Sequence, residues 1–228
     1  MTPVPPAARH DPYRFIHKGL RAALLDTLLH LGGADPGDDA ELQDALQRAD
    51  ELLALLLEHT RQENNFFHVA IEARQPGATR TLGEEHAAMQ STLADLREDV
   101  QHLRRTLPAS RSAQLHWLYQ RFGALAAEQL AHMAREEEQL NPLLWALYSD
   151  AELLAIHQRL LAASDATLLR TLVGWMTAAL APRELAGLFA LVRRLAPPQE
   201  ARLMLGAAQR QLGPARWLRL QALLAAPG

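Results

Sequence analysis

The sequence predicts an all-α protein: an antiparallel up-down-up-down four-helix bundle followed by several short helices. Two observations carry this prediction. Apolar residues make up 49% of the chain and aromatic residues only 5%, with leucine and alanine supplying most of the bulk, which is typical of helical globular proteins. Four long stretches then repeat apolar residues at helical spacing, and glycine or proline separates one stretch from the next.

Each long helix has a recognisable beginning or end. The first starts at Asp11-Pro12, a favourable N-cap followed by proline in the first turn, and ends at Gly32-Gly33. Pro76-Gly77 closes the second helix and Pro108 breaks the third. The predicted ranges are about 11–31, 39–74, 79–106 and 110–148, with Pro142 placed to kink the last of them.

Residues 149–228 differ from the preceding chain because turn signals recur about every 15 residues. They predict five short helices, at roughly 150–161, 164–180, 182–195, 198–211 and 213–225. The expected organisation is therefore a bundle domain over 1–148 and a helical extension over 149–228.

Composition excludes several classes of function. A net charge of −3 does not favour nucleic acid or an anionic membrane as partner. The absence of cysteine excludes disulfides, thiolate metal sites and thiol nucleophiles. No apolar run approaches the 18 residues of a membrane span, so a cytoplasmic protein is expected.

Two His-x-x-x-Glu pairs are the most informative feature of the sequence. His59 precedes Glu63 by four residues, and His132 precedes Glu136 by four. Such side chains lie about 40° apart around a helix and roughly 6 Å apart along it. One pair alone would be an ordinary surface ion pair. Two pairs on facing helices instead direct imidazole and carboxylate groups at one point, which suits a pair of iron ions.

Two further histidines lie at a matching depth. In an antiparallel bundle the starts of the first and third helices meet the ends of the second and fourth, so His17 and His86 are expected near the two pairs. His68, His102 and His116 fall on the opposite helix faces and are expected to point outward. Glu137 competes with Glu136 as the inward carboxylate, and the sequence leaves that choice open.

Four sequence pieces carry a resemblance to the hemerythrin-like (HHE cation-binding) family over about residues 11–148. The pieces are FIHKGL, LLEHTRQENNFF, LGEEHAAMQ and LAHMAREEEQLNPLL. The resemblance implies a four-helix bundle holding two iron ions bridged by carboxylates and an oxo or hydroxo group. It also implies the role of each ligand: the terminal ligands would be His17, His59, His86 and His132, and the bridging carboxylates would be Glu63 and Glu136.

One position departs from the oxygen-carrying members of that family. They have a second histidine one turn after the ligand of the third helix, and this chain has Gln90 there. The pattern resembles four-histidine relatives, the nitrosative-stress iron proteins and the iron- or oxygen-sensing modules, although the former carry a cysteine-containing N-terminal region. Tyr13 lies one turn before His17. It either hydrogen-bonds a bound small ligand or is a buried tyrosine satisfied elsewhere.

The expected function is a non-haem di-iron protein that binds or senses oxygen, nitric oxide or iron status. The C-terminal helices loosely resemble the extension that follows hemerythrin repeats in plant iron-regulating ubiquitin ligases, which implies a helical appendage of unknown role. In the leading hypothesis these helices report the state of the metal site to a protein partner. An alternative is a di-iron enzyme for peroxide breakdown or oxygen-dependent oxidation. A third interpretation is a metal-free helical interaction protein, and the choice between iron and manganese stays open.

Overall fold

The computed structural model describes residues 9–225, and this part of the chain is helical without strands. The α-helices and the two π-helical segments follow in this order: α1 Arg14–Gly33, α2 Asp39–Gln62, a first π segment Glu63–His68, α3 Val69–Arg74, α4 Arg80–Arg104, α5 Pro108–Arg135, a second π segment Glu136–Leu140, α6 Asn141–Leu147, α7 Asp150–Ala163, α8 Ala166–Ala179, α9 Pro182–Leu195, α10 Pro198–Gln211 and α11 Pro214–Ala225. The predicted fold class, a helical bundle followed by shorter helices, is confirmed. No described helix has the length and apolar character required to cross a membrane.

The chain divides into two compact units, residues 1–22 with 141–228 and residues 23–140. The domain boundary expected near residue 148 stays a prediction. Unit 23–140 contains the later part of α1 with α2 to α5, and α4 packs against both α2 and α5. A layer of fully buried apolar side chains fills it, including Leu24, Leu42, Leu46, Leu53, Leu56, Leu93, Leu96, Val100, Leu118, Phe122 and Leu125.

Each π segment begins at a glutamate of a His-x-x-x-Glu pair, the first at Glu63 and the second at Glu136. The long helices predicted over 39–74 and 110–148 are thus continuous in sequence but locally widened. Pro142 follows the second segment and has no N–H to offer the carbonyl four residues earlier, which favours the rearranged bonding just before it. Such π turns inside α-helices frequently occur at functional sites.

Helices α7 to α11 form a regular repeat within unit 1–22/141–228. They begin at Asp150, Ala166, Pro182, Pro198 and Pro214, an interval of 16 residues each time. The connections between them are pairs of extended residues, such as Ser164 followed by Asp165. Helix α8 packs against α10, and α9 packs against α10 and α11, around a core that includes Met176, Leu185, Phe189 and Leu220.

The first turns of α1 pack against α8 and α9 in the same unit. Lys18 and Arg14 both bind Glu184 of α9. Gly19 lies against Met176 so closely that a Cβ atom there would be 2.9 Å from the Met176 side chain and 3.1 Å from its backbone nitrogen. Glycine therefore permits this close approach of α1 to α8.

Replacing Gly19 with alanine should lower the free energy of unfolding by about 1–3 kcal/mol, because the new methyl group meets backbone atoms that cannot rotate away. Gly83 in α4 has no neighbour within 4 Å of its Cβ position. Gly83→Ala should therefore raise stability by up to about 1 kcal/mol through helix propensity alone. Urea unfolding of both metal-free variants checks the pair. A change of the same sign in both would contradict the close contact.

Polar contacts fasten residues 9–11 to the region around α6 and α7. Arg9 Nε donates to Asp150 Oδ1 at 2.7 Å, and Trp145 Nε1 donates to the His10 carbonyl at 2.9 Å. One ring nitrogen of His10 lies 3.2 Å from a ring nitrogen of His157. Burial lowers the pKa of His157 to about 4, with a smaller contribution from His10. Burial also lowers the pKa of His10, so both rings are neutral near pH 7.

The depressed pKa of His157 predicts a loss of stability in mild acid. The unfolded chain takes up a proton near pH 6.5, whereas folded His157 does so only near 4, so this contribution weakens as the pH falls through that window. We expect a cost of about 1–2 kcal/mol at pH 5 relative to pH 7.5. Urea unfolding of metal-free protein measures it, and His157→Gln should show a shallower decline. Parallel curves would contradict the assignment.

Candidate metal centre

The two His-x-x-x-Glu pairs lie inside unit 23–140, on opposite sides of α4. His59 lies in the last turn of α2 and Glu63 begins the first π segment, with His59 Nε2 3.1 Å from Glu63 Oε1. His132 lies in the last turn of α5, and its Nε2 is 3.2 Å from Glu136 Oε1. All four residues are buried. The spacing predicted from the sequence therefore brings imidazole and carboxylate together in both cases.

His86 of α4 lies between the two pairs. Its Nε2 is 3.6 Å from Glu63 Oε2, 3.4 Å from Glu136 Oε1 and 2.7 Å from His132 Nε2. The two oxygens of Glu63 thus face different histidines, Oε1 towards His59 and Oε2 towards His86. Glu63 can therefore offer one oxygen beside each of these two histidines.

Ligand atoms from Glu63, His86, His132 and Glu136 lie within 4.8 Å of one another, and so do ligand atoms from His59, Glu63 and Glu136. Both carboxylates therefore belong to both sets. Two ionised carboxylates buried among histidines, with no lysine or arginine in either set, are costly to bury without further positive charge. Oxygen and imidazole donors fit iron, manganese or zinc, so this donor set fits a transition-metal site.

The model of the hemerythrin HHE cation-binding domain matches residues 11–144. The chain belongs to the hemerythrin HHE cation-binding family. The match covers more than half of the chain and includes each candidate metal ligand. Searches of curated proteins and of solved structures found no match.

Two residues expected at the centre of this hemerythrin domain lie on the N-terminal side of the unit boundary. His17 occupies the second turn of α1 and is fully buried. Tyr13 immediately precedes α1 and is 1% exposed, with its ring centroid 5.1 Å from that of His17. The roles of both as site residues stay predictions.

The sequence raised two questions about residues close to a proposed ligand: whether Glu136 or Glu137 faces inward, and where Gln90 lies. Glu136 is fully buried within the cluster, whereas Glu137 is half-buried and Glu138 exposed. The geometry therefore favours Glu136 as the inward carboxylate of the second π segment. Gln90 follows His86 by one turn of α4 and is half-buried.

His68 does not point outward as the sequence predicted. It is 5% exposed, and its ring stacks on that of His86 with centroids 4.9 Å apart and planes 4° apart. The prediction assumed a regular α-helix between His59 and His68. The first π segment turns the chain less per residue, so His68 rotates inward. Burial, followed by the charge of His86, lowers the pKa of His68 to about 4.

Two supporting residues were also missed. Asn64 Oδ1 lies 2.7 Å from His86 Nδ1, and Glu85 Oε2 lies 2.7 Å from His132 Nδ1. Arg135 Nη2 donates to the same Glu85 oxygen at 2.7 Å. The sequence did contain a clue to these two residues, since each is adjacent to a proposed ligand: Asn64 follows Glu63, and Glu85 precedes His86. Adjacent residues on one helix face different neighbours, so each can reach a ligand on the next helix.

Protonation of His132 competes with metal binding. Burial alone would lower the pKa of His132, but hydrogen bonds to Glu136 and Glu85, with the charges of Glu136 and Glu63, outweigh burial and raise this pKa above its ordinary value. A metal ligand must offer a free nitrogen lone pair, so an ion entering here displaces this proton. Metal binding to this set is therefore weaker in acid.

Proposed function

We propose that this protein is a non-haem di-iron protein that binds or senses oxygen, nitric oxide or iron status. The observation that carries the proposal is the sharing of Glu63 and Glu136 by two sets of ligand atoms. A single ion would not need a carboxylate whose two oxygens face different histidines. Two shared carboxylates between imidazoles are the donor arrangement expected for a coupled pair of ions.

The proposed ligands divide into two groups around the shared carboxylates. His86 and His132 serve one ion. His59 serves the other, and we propose His17 as its second imidazole, because the His17 side chain is fully buried. The iron pair would supply reversible electron transfer and binding of a small ligand such as oxygen, nitric oxide or peroxide. The choice of iron over manganese, and a cytoplasmic location, are part of the proposal.

The protein's own residues would control access and orientation. Phe67 and Met89 are buried beside the ligand-bearing turns, and Gln129 Nε2 lies 2.8 Å from Met89 Sδ. These side chains would limit the entry of water and keep the surroundings of the site apolar, which tunes the metal and its bound ligand. Tyr13 is proposed to donate a hydrogen bond to such a ligand. The helices α7 to α11 are the proposed contact for a protein partner.

One observation favours an enzyme as the second candidate. Gln90 stands where a further imidazole would complete the ligands of one ion, and an amide is a weak ligand. A position left for an exogenous molecule suits peroxide breakdown or oxygen-dependent oxidation. The same opening also suits a sensor, so kinetics must separate the two candidates.

Metal analysis, optical absorption and Mössbauer spectroscopy of protein purified without added iron test the proposal. Two iron atoms per chain with a coupled Mössbauer signal are expected. Less than one metal per chain without visible absorption would favour a metal-free helical interaction protein.

Stopped-flow mixing of the reduced protein with oxygen then separates a binding or sensing protein from an enzyme. A long-lived oxygenated species that disappears when oxygen is removed supports binding. Immediate oxidation of the protein with turnover of added substrate supports an enzyme.

A further inference from the structure

The hydrogen bonds behind the two histidines of one ligand set are unequal. Both rings direct Nε2 into the cluster, where these atoms lie 2.7 Å apart. His86 Nδ1 meets the neutral amide oxygen of Asn64, whereas His132 Nδ1 meets the carboxylate of Glu85, each at 2.7 Å. The rings are therefore held with similar distances but beside groups of different charge.

Glu85 is itself held in place. Arg135 approaches it with two nitrogens, Nη2 at 2.7 Å and Nε at 3.2 Å from Oε2. The Glu85 side chain is 28% exposed and that of Arg135 is 40% exposed, so the pair lies at the surface, directly outside a buried histidine. A carboxylate fixed by guanidinium loses little further freedom when it accepts a hydrogen bond from the imidazole N–H.

The supports also connect successive helices. Asn64 is adjacent to Glu63 on the first π segment and supports His86 on α4. Glu85 is adjacent to His86 on α4 and supports His132 on α5. Each supporting residue therefore shares a helix turn with one member of the cluster and fixes another on the next helix.

A charged acceptor does more than orient a ring. An imidazole that donates Nδ1–H to a carboxylate becomes a more basic ligand through Nε2, whereas an amide acceptor fixes the tautomer with little added charge. More electron donation stabilises a bound metal ion, and it stabilises the oxidised state more than the reduced state.

Resting on the di-iron function proposed above, we propose that Glu85, held by Arg135, is a positioning residue that makes His132 a stronger metal donor than His86. Glu85 contacts the proposed ligand His132, and Arg135 contacts Glu85, so both act through His132 and neither is itself a ligand. The pair therefore tunes iron affinity and reduction potential from the surface of the domain.

Glu85→Gln is the decisive variant, because glutamine keeps an oxygen acceptor for His132 and removes only the charge. We expect iron(II) affinity about 10-fold weaker, measured by anaerobic competition with a chelator. The midpoint potential, measured by spectroelectrochemical titration, should become more positive. Asn64→Asp should shift the potential in the opposite direction, since it places a carboxylate behind His86. Glu85→Ala should lose further affinity because it also removes the orienting contact.

Asp50→Asn is the matched control. Asp50 pairs with Arg97 across α2 and α4 in the same unit, at 3.4 Å, and lies outside the cluster. Asp50→Asn should leave both the iron(II) affinity and the midpoint potential unchanged. A Glu85→Gln protein that binds two iron ions with wild-type potential would overturn the proposal, whatever its affinity. A wild-type protein that binds no metal would instead overturn the proposed function, and the inference with it, so the two failures are distinguishable.

Discussion

Glu63→Ala is expected to reduce the iron content from two ions per chain to one or fewer. The two Glu63 oxygens lie 3.1 Å and 3.6 Å from nitrogens of different histidines, so this one side chain serves both ligand sets. Removing it deprives each ion of a donor and leaves the remaining carboxylate, Glu136, to hold the pair. Metal analysis after anaerobic reconstitution with excess iron(II) and desalting measures the change.

Two further variants separate the loss of a metal ligand in Glu63→Ala from damage to the fold. Glu63→Gln keeps the volume but removes the charge, and it should lose the second ion as well. Glu51→Ala alters an exposed glutamate of α2, the helix that precedes Glu63, where Gln47 donates to it, and should retain both ions. Full iron content in Glu63→Ala would refute the bridging role.

Removal of metal should produce the largest change in thermal stability. An ion that binds only the folded chain stabilises it by about 4 kcal/mol when its concentration is 1,000 times the dissociation constant. Two such ions should raise Tm by roughly 15 °C or more in a chain of this size. Differential scanning calorimetry of metal-free and iron-loaded protein measures this shift.

A pair of histidine variants tests where that stabilisation arises. His132→Ala should abolish most of the Tm increase, because its Nε2 lies within the cluster. His102→Ala changes an exposed histidine of α4 and should preserve the increase. Equal responses of the two variants to iron would show that the ions bind elsewhere.

Much of the fold was predictable because the residues that begin and end its helices are recognisable in the local sequence. Pro76-Gly77 and Pro108 mark the loops between long helices, and the breaks near 165, 181, 197 and 213 locate the short ones. Apolar spacing then identified the buried faces, since an α-helix has one period. The regular 16-residue interval was underestimated as about 15, because individual turn signals define helix ends only to within a few residues.

The site was predictable to the extent that ordinary helical geometry holds. His59 with Glu63 and His132 with Glu136 meet as four-residue spacing requires. His68 was misplaced because bonding across five residues leaves no clear trace in composition. Glu85 and Asn64 were missed for a different reason: their partners lie on neighbouring helices, and pairing between helices depends on tertiary packing.

The strict interval of helices α7 to α11 has a consequence for how this region can change in length. Every helix start and every two-residue joint recurs in phase. Gain or loss of one whole module keeps each apolar stripe facing its neighbours, whereas an insertion of one or two residues inside a helix turns the downstream stripe by about 100° or 200° and exposes it to solvent. Length variation among homologous chains is therefore expected in steps of 16 residues, with the joints as the tolerated points of duplication.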